Sequence, residues 1–245
     1  MRSQSLPCRN SHHERGKHQR KSTGIGERLL SKVLVKICGI TNLKDLNVAI
    51  GAGADIVGFV TDVPTSPRNL SREKAKALIE ATQETVKTAV VTTYQGYQKL
   101  KRIHQELDPG IIQIHGLTGS YEDLRKELPD MFLIDAIQAN SPCVIDIAVN
   151  AKNTFDAVLL DTSVPGKYGG TGIIHDWTVS RRVRDAIYPK PLVLAGGLRP
   201  ENVKQAICTV KPKVADVSSG VESRPGVKDP DKIFRFIKNV KEVEL

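Results

Sequence analysis

The chain has 245 residues, a formal net charge of +9, 40% hydrophobic residues and 4% aromatic ones. That length suits one large domain with a substantial core, and no stretch is apolar for long enough to cross a bilayer as a helix, so a soluble cytoplasmic protein with no membrane partner is expected. The charge suggests nucleic-acid binding only until it is divided: residues 1–32 carry eight Lys or Arg against two Asp or Glu, which leaves three of the nine positive charges for the remainder.

Residues 1–32 read as a basic extension outside the fold. They hold three histidines (His12, His13, His18), almost no apolar residue before Ile25 and no aromatic, so they cannot bury a core and disorder is expected. They lack the apolar region of a secretory signal and the stacking side chains of a nucleic-acid arm. A functionless extension ranks ahead of weak electrostatic binding, and the folded domain is expected to span residues 33–245.

From Val33 onward, short β-branched runs alternate with helical patterns. Strands are predicted to begin at Val33, Asp55, Lys87, Gly110, Met131, Asp156, Pro191 and Val214. Between them, helices are predicted over Asn42 to Ala52, Ser71 to Ala81, Gln95 to Glu106, Ser120 to Leu128, Pro142 to Ala151, Asp176 to Ile187, Pro200 to Thr209 and Pro230 to Val240. Ser71 and Ser120 suit helix starts, Pro200 and Pro230 suit first turns, and Cys143 to Val149 also reads as a strand.

Eight strand–helix repeats whose strands are apolar on both faces favour a single closed (β/α)8 TIM barrel over an open sheet. A doubly wound sheet is the alternative, but the first strand is followed by Cys38-Gly-Ile-Thr41 and not by a glycine-rich dinucleotide turn. In a barrel the loops after the strands share one rim, where active sites are built. That rim collects Cys38, Asp62 to Arg68, His115, Gly116, Asp135, Asp161, Gly196, Gly197 and Ser218 to Gly220.

The four cysteines (Cys8, Cys38, Cys143, Cys208) are far apart, without a Cys-x-x-Cys pair or zinc spacing, so reduced thiols and no metal are expected. Cys38 and Asp161 are candidates for a base and an acid across the mouth. A free thiol titrates near about 8.5 and a free aspartate near about 3.9, so each needs tuning. Lys36, two residues before Cys38 and on the same strand face, would favour the thiolate if the two come close. An inward lysine also needs a partner, and Asp216 on the eighth strand is the candidate. The plainer alternatives are a small buried hydrophobe for Cys38 and a helix cap or turn for Asp161.

Gly196 and Gly197, with Ser218, Ser219 and Gly220, follow the seventh and eighth strands, where such barrels often bind phosphate through bare backbone N–H groups. Arg68, on a segment stiffened by Pro64 and Pro67, suits bidentate capture of a carboxylate. His115 and Asp216 join the substrate-binding set, though His115 could equally cap its strand. Lys167 to Gly172, with three glycines, reads as a loop able to fold over a ligand.

The segments KICGIT (36–41), GADIVGF (53–59), SPRNLS (66–71), QIHG (113–116), LLDT (159–162), GGTG with DW (169–172, 176–177), LAGGL (194–198) and DVSSGVE (216–222) together resemble the phosphoribosylanthranilate isomerase family of tryptophan biosynthesis, over essentially all of residues 33–245. The resemblance implies a cofactor-free Amadori rearrangement, with Asp161 as general acid on the ribose ring oxygen and Cys38 as general base at the sugar C2. It implies that Arg68 meets the anthranilate carboxylate and the two glycine loops the phosphate. The chain departs from the family in that GFVTDVPTS (58–66) lacks the aromatic residue frequent before SPR, and in carrying His175 before Asp176.

Rival readings are a barrel isomerase serving both histidine and tryptophan synthesis, which relies on two aspartates and no cysteine base, and indole-glycerol-phosphate synthase, whose lysine and glutamate set has no counterpart here. A catalytically silent phosphate binder and an RNA-associated protein working through its tail are the non-enzymatic alternatives. The expected partner is a small phosphorylated substrate, in a monomer or homodimer.

Overall fold

A computed structural model of the protein describes residues 32–82, 84–117, 122–162 and 175–243. Eight parallel strands form the sheet: β1 (Leu34–Cys38), β2 (Ile56–Thr61), β3 (Lys87–Thr93), β4 (Ile111–His115), β5 (Phe132–Gln138), β6 (Ala157–Asp161), β7 (Leu192–Leu194) and β8 (Val214–Val217). Each pairs with the next, and β8 returns to β1 with Lys36 beside Asp216, which closes the barrel. A two-residue strand, Asn69–Leu70, lies against β2, and a small hairpin of Glu222–Arg224 and Val227–Lys228 follows β8.

The helices are α1 (Leu43–Ala52), α2 (Arg72–Glu80), α3 (Tyr97–Leu107), α4 (Glu122–Glu127), α5 (Val144–Ala151), α6 (Trp177–Ile187), α7 (Val203–Val210) and α8 (Pro230–Lys241). Short polar side chains cap orphan N–H groups at four of their starts: Asn42 accepts from Asp45 N, Ser71 from Lys74 N, Asp176 from Thr178 N, and Asp229 from Asp231 N and Lys232 N. Pro230 sits in the first turn of α8, where its missing N–H costs nothing. The segment that also reads as a strand, Cys143 to Val149, enters α5, whose Val144, Ala148 and Ala151 recur at helical spacing on the buried face. Ser120 and the loop Lys167 to Gly172 lie outside the described residues, as does the extension up to residue 31.

Strand alternation sorts the side chains into two shells. Val35, Ile37, Val57, Phe59, Val90 and Ile112 face the helices in the main core. Ile56, Ala89, Ile111, Ile134, Ala157, Leu159, Val193 and Val214 fill the barrel floor. Continuing the inward parity toward the C-terminal ends gives Lys36 and Cys38 on β1, Gln113 and His115 on β4, Asp161 on β6 and Asp216 on β8. The chemistry-bearing side chains thus stand above an apolar floor.

Candidate active site

The ten residues expected to act on or bind substrate (Cys38, Arg68, His115, Asp161, Gly196, Gly197, Asp216, Ser218, Ser219, Gly220) all line one pocket at the C-terminal mouth. Cys38 is buried with Val60, Val63 and Val91 in a small apolar cluster of its own. The neighbouring Gly58 makes room for it: a Cβ there would lie 2.9 Å from the sulfur.

Lys36 is wholly buried and donates to Asp216 Oδ2 at 3.1 Å and to Gln113 Oε1 at 2.9 Å. An ammonium only donates, so the Gln113 amide must present its NH2 to His115 Nε2, 2.9 Å away, and that nitrogen accepts. Burial, and then the charge of Lys36, push His115 down to about 4, so its ring is neutral. Burial lowers the Lys36 pKa, but Asp216 and Cys38 outweigh it and hold the ammonium above its ordinary range. Burial pushes the Cys38 thiol up, and Lys36 and Lys228 pull it back only in part. Lys36 therefore favours the thiolate as expected, without bringing the thiol below its usual value.

Asp161 ends β6 half-buried in the same pocket. Burial, reinforced by the nearby Asp216 charge, raises its carboxyl to about 6, against the backbone N–H of Thr162 and the charge of Lys36. The next residue, Thr162, is braced: its Oγ1 lies 2.9 Å from His175 Nδ1, and His175 Nε2 lies 2.5 Å from Ser180 Oγ on α6.

The wall after β7 and β8 is main chain. Gly196 and Gly197 have φ of 80° and 66°, a region that glycine enters freely. A Cβ on Gly196 would meet Thr162 Oγ1 at 2.3 Å, and one on Gly220 would meet the Leu198 carbonyl oxygen at 1.9 Å. Only glycine lets these segments approach so closely, and they leave the pocket a wall of bare backbone.

Arg68 reaches the pocket over Gly39, whose bare Cα lets the arginine stem pass; a Cβ there would be 2.5 Å from Arg68 Cδ. Its Nε and Nη2 donate to Glu222 at 2.7 and 2.6 Å, and Lys228 Nζ joins the same carboxylate at 3.0 Å. Sequence reasoning did not name Lys228, and met Gln113 and Glu222 only at the ends of motifs. Their partners lie 77, 154 and 6 residues away with no local pattern to announce them.

One rim residue proves to belong elsewhere. Asp135 shares the parity of Leu133 and Ile137 on β5 and so faces the helix layer, not the mouth. It is 2% exposed, its Oδ2 has no hydrogen-bond partner among the described residues, and burial raises its carboxyl to about 7.

Closed parallel sheet, outer helices and a pocket formed where the strands end define the class as a (β/α)8-barrel enzyme. The family model for N-(5'-phosphoribosyl)anthranilate isomerase matches residues 35–239. A relative of that name from Methanothrix thermoacetophila is 40% identical over 209 residues, covering 84% of this chain and 97% of its own. The crystal structure of phosphoribosyl anthranilate isomerase from Thermotoga maritima superposes with a TM-score of 0.77 at 39% identity, over 86% of this chain and all of that one. A second structure of such an isomerase, in complex with reduced 1-(o-carboxyphenylamino)-1-deoxyribulose 5-phosphate, gives 0.74 at 37% identity, over 86% of this chain and all of its own. The chain belongs to the N-(5'-phosphoribosyl)anthranilate isomerase family.

Proposed function

We propose that the chain converts N-(5'-phosphoribosyl)anthranilate into 1-(2-carboxyphenylamino)-1-deoxyribulose 5-phosphate by general acid and base catalysis, as a step of tryptophan biosynthesis. The observation that carries the reading is the sharing of one pocket by the Cys38 thiol, the Asp161 carboxyl and a glycine-built wall.

Asp161 gives its proton to the ribose ring oxygen; the C1–O bond breaks, and the nitrogen lone pair forms the C1=N Schiff base. Cys38 takes the C2 proton, the electron pair of that C–H bond forms C1=C2, and the C1=N electrons return to nitrogen. The resulting enolamine ketonises as C1 gains a proton and the C2 hydroxyl loses one. A carboxyl near about 6 still holds protons close to neutrality, as a donor must. The phosphate lies on Gly196, Gly197 and Ser218 to Gly220, the ring against Val60, Val63 and Val91, and the anthranilate carboxylate at Arg68. With the Nε–Nη2 edge committed to Glu222, Nη1 is the group left for that carboxylate.

Purified protein is expected to consume phosphoribosylanthranilate and to restore growth without tryptophan to a bacterium lacking only this isomerase. Failure of both, with the histidine-pathway substrate tested in parallel, would overturn the reading.

A further inference from the structure

The cluster of Arg68, Glu222 and Lys228 stands near Cys38 and joins the two places assigned above to the charged ends of the substrate. All three side chains are buried, at 8%, 8% and 3% exposure. The Glu222 carboxylate receives both forks of Arg68 and the ammonium of Lys228. That ammonium also donates to the Ser218 carbonyl at 3.1 Å, within the wall that faces the phosphate. The main chain that carries the two side chains is held as well: Lys232 Nζ donates to the Glu222 backbone carbonyl at 2.8 Å, and the Lys228 backbone N–H donates to Asp45 Oδ2 at 2.8 Å.

A guanidinium gripped through two parallel hydrogen bonds loses the rotation of its plane, so its remaining amino group is fixed relative to the pocket before any ligand arrives. We propose that Glu222 is the positioning residue for Arg68: it sets the guanidinium plane for the substrate carboxylate and, through Lys228, ties that plane to the phosphate wall. One carboxylate then fixes the span between the two anionic ends of the substrate. This rests on the reading of Arg68 given above.

The test uses two ligands, reduced 1-(o-carboxyphenylamino)-1-deoxyribulose 5-phosphate and its analogue with hydrogen in place of the carboxylate, titrated by calorimetry. Glu222→Gln is expected to weaken the first by about tenfold and the second by less than about twofold, and to raise KM with kcat retained. Glu222→Asp keeps the charge, shortens the reach and is expected to show the same selectivity, so it carries the test should the first variant fail to fold. Equal weakening of both ligands, or of neither, overturns the proposal. Arg68→Gln separates the two readings. If it too loses only the carboxylate-bearing ligand while the Glu222 variants do not, the positioning role alone fails; if it shows no selectivity, the Arg68 reading falls and this proposal with it.

Discussion

Gly58 stands beside Cys38 on the neighbouring strand, so close that a methyl group on it would lie 2.9 Å from the sulfur and 3.1 Å from the cysteine Cα. The backbone atom cannot give way, so Gly58→Ala must turn the thiol or shift the strand. Turnover is expected to fall by about a hundredfold, as for other displacements of a reacting group by about 1 Å. Affinity for the reduced product analogue should be little changed, which steady-state kinetics and calorimetry together check.

The reacting state needs Asp161 protonated and Cys38 deprotonated, although the carboxyl titrates at about 6 and the thiol above its usual range. That state carries one proton between the two groups, as does its more abundant tautomer, so its share is constant between the two pKa values and falls on either side. The wild-type profile is expected to be flat from about pH 6 upward into the thiol range. Asp161→Asn should lose the break near 6 and leave a residual rate that rises with pH until Cys38 ionises. Cys38→Ala should leave one that declines above about 6. A low-pH break that survives in Asp161→Asn would belong to the substrate phosphate, whose second pKa is also about 6.

Lys36→Met strands Asp216, which is buried and has Oδ1 already without a partner among the described residues. Removing one member of a buried pair costs about 3–5 kcal/mol because a charge is left behind. Urea denaturation at neutral pH should show that loss, and Lys36→Met with Asp216→Asn should recover most of it.

Asp135 gives the opposite sign. Its folded-state pKa of about 7 lies above the unfolded value, so the folded protein binds the extra proton and stability falls as pH rises from the unfolded pKa through the folded one. Above pH 7 the full penalty of a buried, unpartnered carboxylate remains. Asp135→Asn removes it and is expected to stabilise by about 2–4 kcal/mol at pH 8 and by little at pH 4, read from denaturation at the two values.

The eight strands and the ends that bear the site were legible because β-branched runs and short glycine turns are local signals. Cys38, Asp161 and the paired glycines stand at chain positions that the barrel sends to one rim, so their convergence needed no distant information. Asp135 was misplaced for a physical reason: β5 is apolar on both faces, and alternation has no sign where neither face is polar. Glu222 escaped because its partner Arg68 lies 154 residues away, and Lys228 because it meets Glu222 across a hairpin too short to leave a strand pattern. The partial depression of the Cys38 thiol by Lys36 was visible as a direction, while the larger effect of burial required coordinates.

Gly220 and the Leu198 carbonyl touch with no space for even a methyl group between them. The segments after β7 and β8 are thus a matched set, each cut to the outline of the other. A chimaera that borrows one of them from another barrel must import its companion as well, and natural drift in either is constrained by the shape of the second.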